Sequence, residues 1–157
     1  ANELTVPAEV LVYGATCIHQ SKRPLLQNYY NFTQQEEDKS KERGLFLSEP
    51  KKTETHNSIF EDSHGTHIFA SDDLCLVQEL ADLAQANYRT WKLDGIFTPG
   101  EAFVAIAKVF AEAKALIEND RWSVEVAADF AEKIRALHPE NRGLATGFYY
   151  TDPNKIK

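Results

Sequence analysis

The residues in this chain best suited to chemistry are two thiols and a pair of histidines. Cys17 follows the run Glu9-Val10-Leu11-Val12-Tyr13-Gly14-Ala15-Thr16, where a strand would deliver side chains to a site. A thiolate there, with His64 or His67 as base, would make a nucleophile–base pair for acyl transfer. Their spacing does not show that they meet, and no oxyanion-hole motif is readable. His64-x-x-His67 also has a spacing that metal sites use, and Cys17-x-His19 could add ligands. Zinc needs three or four ligands with hydrogen-bonded support behind them, so the histidines read first as turn residues and no metal site is assigned. Aromatic residues at 29, 30, 32 and 148 to 150 could stack on bases, although packing is their more ordinary use.

These residues must be held by regular elements. The apolar, β-branched run over 10–13 ends at Gly14 and suits a buried strand. Residues 29–33 show no clear period, and the charged run 34–43 reads as a solvated surface segment closed by Gly44. A short strand is expected over 44–47, followed by a polar loop over 50–57. Turn formers at 62–65 then separate two extended pieces. Ser71-Asp72-Asp73 predicts the cap of a helix over 74–86, with Leu76, Leu80 and Leu83 at helical spacing. Residues 89–93 read as the next strand, closing at Asp94-Gly95. Thr98-Pro99-Gly100-Glu101 has the form of a capping box, followed by the stripe Phe103, Ile106, Phe110, Ala113 and Ile117. Ser123 starts a second helix, striped by Val126, Phe130, Ile134 and Leu137 and stopped at Pro139. Residues 143–150 look like a turn into a final extended piece. Strands alternating with helices are α/β material.

Composition sets the bounds. The chain has 157 residues, 43% apolar and 26% charged, enough for one domain with a core. No apolar run reaches the roughly 20 residues needed to span a bilayer, and the first residues lack the pattern of a signal peptide. Two cysteines are too few for a disulfide framework, so a cytoplasmic setting is expected. With 24 acidic residues against 17 basic, the net charge is −7, which argues against holding nucleic acid by phosphate neutralisation alone.

The stretch from Glu9 to Gln27 resembles the signature of peptidase family U32, the collagenase-like proteases. That pattern reads Glu-x-Phe-x-x-Gly-(Ser/Ala)-aliphatic-Cys, then four residues, then Gly-x-Cys-x-aliphatic-Ser. Glu9, Gly14, Ala15, Cys17 and Leu26 match it; Leu11, Thr16, Lys22, Pro24 and Gln27 depart from it. Glu61-Asp62-Ser63-His64-Gly65-Thr66 followed by Asp73-Leu74-Cys75 is similar to a second family segment. Lys92-Leu93-Asp94-Gly95 is similar to its Lys-Ile-Glu-Gly-Arg, and Asn141-Arg142-Gly143 with Gly147-Phe148 to its closing Asn-Arg-Gly … Gly-Phe. Five segments in the right order are a specific signal.

The resemblance implies several things. The fold would be the C-terminal half of a TIM-barrel-like α/β domain, with a short strand-containing insertion. Residues 1–157 would form a single domain, a fragment whose N-terminal half is absent, consistent with a chain that has no methionine even at position 1. Family members that bind an iron–sulfur cluster use four cysteines. Two positions match Cys17 and Cys75, but the others fall on Pro24 and Phe46, so no cofactor is expected in this chain. Asp94 replaces the family's Glu, and Ile96 its Arg, which removes a bidentate donor. The expected role is a degenerate, cluster-less partner of a U32 paralogue in hydroxylation of tRNA or other RNA bases, with RNA met through the full complex. The alternative is a peptidase whose catalytic residues would be Cys17, His64 or Asp94; whether the chain is an enzyme stays open. A half-barrel would expose sheet edges, so self-association through edge strands or the 47–60 segment is expected, and no membrane contact.

Overall fold

The structure, a computed structural model, describes residue 6, residues 8–34 and residues 38–155. It is a mixed α/β chain with two four-stranded sheets and four α-helices among the described residues. The chain divides into two compact units. The first joins Ala1–Ala15 to Asp72–Lys157, and the second is Thr16–Ser71, inserted between them.

In the first unit, β1 (Glu9–Gly14) is the apolar strand anticipated from the run at 10–13. It pairs in parallel with β7 (Thr90–Leu93) and antiparallel with β6 (Asp72–Cys75), and β6 pairs in parallel with β8 (Gly143–Ala145). The sheet order is β7-β1-β6-β8, so this sheet is mixed rather than wholly parallel. Beside these strands stand α2 (Leu80–Gln85), α3 (Gly100–Glu118) and α4 (Val124–Leu137). Their stripes carry the core: Ile106, Val109, Phe110 and Ala113 from α3 meet Phe130 and Ile134 from α4, with Val12, Tyr13, Leu76, Val77, Leu80 and Leu83. A side chain buried in this way contributes roughly 1.5–3 kcal/mol. Ser123 caps α4 as anticipated, its hydroxyl accepting from the Val126 amide at 3.3 Å.

Three expectations for this unit are corrected. Residues 72–75 form a strand and the helix covers only Leu80–Gln85, because pairing with β1 and β8 outweighs local helical preference. Thr98 does not cap α3: Pro99 holds the N-cap position with no side-chain hydrogen bond, and the Thr98 hydroxyl is engaged by Tyr13 instead. Residues 143–145 are extended first, and turns follow from 147.

The second unit holds β2 (Cys17–Ser21), α1 (Leu25–Thr33), β3 (Phe46–Glu49), β4 (Lys52–Asp62) and β5 (Gly65–Phe69), in the sheet order β2-β5-β4-β3. The turn formers at 62–65 close the β4–β5 hairpin as anticipated, with Asp62 opposite Gly65. Gly65 has φ +115°, and a Cβ there would sit 2.0 Å from the Ser21 carbonyl oxygen, so only glycine fits. The polar stretch at 50–57 is not a loop: from Lys52 it is strand, paired to β3 with Glu49 opposite Lys52. The aromatic-polar stretch 29–33 is helical, as the end of α1. Among the described residues no helix is long and apolar enough to cross a membrane.

Candidate functional site

Tyr13 is the penultimate residue of β1 and is fully buried. A phenol inside a protein must find polar partners, and this one finds two. Its hydroxyl lies 3.2 Å from Thr98 Oγ1 and 2.8 Å from His138 Nδ1. His138 ends α4, and Pro139 behind it stops the helix. On the other side of the imidazole, Nε2 stands 3.8 Å from Asp73 Oδ2. A carboxylate facing Nε2 favours the proton on that nitrogen, which leaves Nδ1 to accept from the Tyr13 hydroxyl.

Asp73 projects from β6 and is 1% exposed. Its Oδ1 accepts from Arg142 Nη2 at 2.7 Å and from Nε at 3.0 Å. The guanidinium lies over the Phe97 ring, 4.4 Å from its centroid. Charge-assisted bonds of this kind are roughly twice as strong as neutral ones, and a buried carboxylate needs them. The result is a row of polar groups in the interior of the first unit, Thr98–Tyr13–His138 and Asp73–Arg142, each hydrogen-bonded within itself and meeting at His138 Nε2 and Asp73 without a hydrogen bond between them. Beside it Glu79, also buried, accepts from the Tyr150 hydroxyl at 2.9 Å.

The electrostatics follow from burial. Loss of water pushes the Tyr13 phenol above its ordinary value; the Thr98 hydrogen bond opposes this and the Asp73 charge adds to it. Burial also holds His138 below the usual imidazole value, with Asp73 acting in the opposite direction. The ring is therefore neutral at neutral pH. Carboxylate, imidazole and phenol stand in the order of a proton relay, but the phenol at its end is sealed from solvent. In this arrangement the cluster ties β1, β6, the end of α4 and the turn before β8 to one another.

The residues singled out from sequence fall elsewhere. Cys17 opens β2, exposed, with its thiol 3.4 Å from the His19 carbonyl. His64 lies in the β4–β5 turn. Because Cys17 pairs with Phe69 at the far end of β5, the two stand at opposite ends of that strand, roughly 15 Å apart at 3.3 Å per residue. The structure does not bring them together. His67 and His64 both serve Asp62: His67 Nε2 lies 3.1 Å from Asp62 Oδ1, and that oxygen accepts from the His64 amide at 2.8 Å. Both hydrogen bonds hold the Asp62 carboxyl below its ordinary value. Asp94 follows β7 and accepts from the Ile96 amide at 2.9 Å, a turn-closing bond. Its carbonyl oxygen would lie 2.0 Å from a Cβ at Gly14, whose φ is +118°, so Gly14 is required by this close approach.

Cys75 ends β6, and burial pushes its thiol up to about 11, too high for a thiolate at neutral pH. Of the two other cysteine positions implied by the family pattern, Pro24 is the N-cap of α1 and Phe46 is an exposed residue of β3. With two cysteines in its sequence, the chain does not itself supply the four thiolates of a [4Fe–4S] centre. Among the described residues no group of three or more His, Cys, Asp or Glu could hold a metal ion.

The family segments do acquire structural work. Glu61 and Thr66, from the acidic His-Gly-Thr segment, supply the start of α1 from a distance. Glu61 Oε2 accepts from the Leu26 amide at 3.0 Å, and Thr66 Oγ1 accepts from the Leu25 amide at 2.9 Å. Asp73 and Arg142, from the Asp-Leu-Cys and Asn-Arg-Gly segments, meet in the buried pair. Sequence reasoning missed Tyr13, Thr98 and His138 as site residues. The signal available for His138 was its place at a helix end before proline, which marks a boundary and not a role.

Comparison with known proteins gives two findings. The sequence model of Peptidase family U32 matches residues 1–157. The chain is also 36% identical, over 151 residues, to "tRNA hydroxylation protein P2" of Bacillus subtilis (strain 168). That alignment covers 94% of this chain and 48% of the relative, so the chain spans about half the relative's length. No solved structure matches.

Proposed function

Given that the chain belongs to peptidase family U32, we propose that it forms part of a protein required for tRNA hydroxylation and contributes there without a cluster of its own. The observation that carries this is the 36% identity, across 94% of the chain, to a protein named for tRNA hydroxylation. Two features support a non-catalytic, cluster-less contribution: the cysteine set has proline and phenylalanine at two of its four places, and the interior polar row around Tyr13 is sealed. A cluster-bearing U32 paralogue would supply the chemistry. The parallel pairs β1–β7 and β6–β8 support reading the first unit as part of a TIM-barrel-like domain, although the antiparallel β1–β6 pair has no counterpart in such a barrel. The outer strands β7 and β8 of that sheet are edges that further chain, or a second copy, would pair.

The peptidase alternative gains no support from placement. Cys17 and His64 stand apart, and the Cys75 thiol is held protonated. The test is to delete the gene and quantify hydroxylated nucleosides in total tRNA by mass spectrometry. Loss of hydroxylation, restored by the gene and equally by its Cys17→Ser/Cys75→Ser variant, is expected. Unchanged hydroxylation in the deletion strain would end the proposal, and restoration that fails only for the cysteine variant would end its cluster-less part.

A further inference from the structure

The first unit has a second feature, a cavity of about 410 Å³ formed by α2, β7, the last turns of α3 and the α3–α4 connection. This volume lies within the range of small-molecule sites. Both tryptophans of the sequence, Trp91 and Trp122, line it. The Trp91 indole N–H is already spent on the Tyr88 carbonyl at 2.8 Å, so a ligand finds its ring face rather than a donor. Trp122 is braced edge-on against Phe130, with ring centroids 5.2 Å apart. Two cations line the same cavity. Lys114 holds its Nζ 6.0 Å from the Trp91 ring centroid, and Arg89 is exposed two residues before Trp91. Glu118 and Asp120 add carboxylates, which can accept from hydroxyl or amino groups but not bind phosphate.

We infer that this cavity takes a nucleotide of single-stranded RNA, the base stacking on the indole faces and its phosphate meeting Arg89 and Lys114. An apolar peptide side chain would leave four charged groups around it unanswered, whereas a nucleotide has a π-face, an anion and hydroxyls for them. With a net charge of −7, broad phosphate neutralisation does not favour RNA binding by this chain, which makes a local site of this kind the better fit. The inference deepens the tRNA reading and rests on it.

Fluorescence gives a clean test, because every tryptophan of the chain lies in the cavity. Titration with a short oligoadenylate should quench the emission saturably, and at lower concentration than adenosine monophosphate does. The Arg89→Ala/Lys114→Ala variant alters two exposed side chains, so its melting temperature should hold while oligoadenylate binding weakens at least tenfold. Trp91→Phe should bind within about threefold of the parent, and Trp91→Ala at least tenfold worse, as expected for loss of one stacked base. Binding of a labelled oligoadenylate, seen by anisotropy without quenching and indifferent to the double variant, would overturn the cavity assignment and leave the tRNA reading standing. Quenching by the mononucleotide alone would overturn it in favour of a free nucleotide. Absence of any binding would overturn it too, and the tRNA reading would then be judged on the nucleoside assay of the deletion strain.

Discussion

Asp73 is the residue on which the interior polar row depends. It sits 1% exposed, with one oxygen satisfying two nitrogens of Arg142. Asp73→Asn keeps the shape but removes the carboxylate charge that both Arg142 nitrogens meet, and we expect a loss of roughly 1–3 kcal/mol in urea unfolding. A loss below about 1 kcal/mol would show that the Asp73–Arg142 pair contributes little to stability. His138 sets a pH dependence. Its folded value is lowered, so between that value and the ordinary one near 6.5 the unfolded chain binds a proton that the folded protein does not. Stability is therefore present in full above about pH 6.5 and declines as the pH falls below it. Unfolding measured from pH 7.5 to 5.0 should show this decline, and His138→Gln, which cannot titrate, should flatten it. An unchanged slope in that variant would assign the decline to other groups. Little of this was legible beforehand. Read from sequence, Asp73 and Thr98 are helix-cap residues, because side-chain type and position nominate a local partner. Their actual partners, Arg142 and Tyr13, lie 69 and 85 residues away in sequence, beyond the reach of any local reading.

At the scale of elements, legibility followed the source of each element's stability. The strands at 9–14 and 90–93 and the helices at 100–118 and 124–137 show their own pattern, an apolar run or a stripe, and were anticipated nearly to their ends. The helix at 25–33 does not. Its sequence is aromatic and polar, and only one of its residues, Leu26, is buried. Much of its start is held by Glu61 and Thr66 from a neighbouring hairpin, which no local reading reveals. The same geometry yields a prediction. Glu61→Ala should free the Leu26 amide, lower stability by about 1–2 kcal/mol, and raise hydrogen exchange across the first turn of α1 while leaving α3 and α4 unchanged. Glu61→Gln, which keeps an acceptor oxygen, should cost less. Equal exchange in all three proteins would remove Glu61 from the cap. Likewise the first part of β4, from Lys52 to Asn57, is polar on both faces and is held by its pairing with β3, so composition alone suggested a loop.

For the molecule as a whole, the notable fact is that Thr16–Ser71 is inserted between two strands that are themselves partners. The inserted unit is closed at its base: the Ala70 amide donates to the Thr16 carbonyl at 3.0 Å, and Cys17 pairs with Phe69. This bears on the order of folding. Tyr13 must find Cys75 across about 60 residues, and closing a flexible loop of that length costs about 2 kcal/mol more than closing one of a few residues. Once the insert has folded, its own ends have already met and the effective loop between β1 and β6 is only a few residues long. We expect the insert to act as a clasp that fastens before the central antiparallel pair of the first unit forms. A change that weakens only the insert, such as Glu61→Ala, should slow the appearance of protected amides in β1 and β6 during refolding, although it touches neither strand.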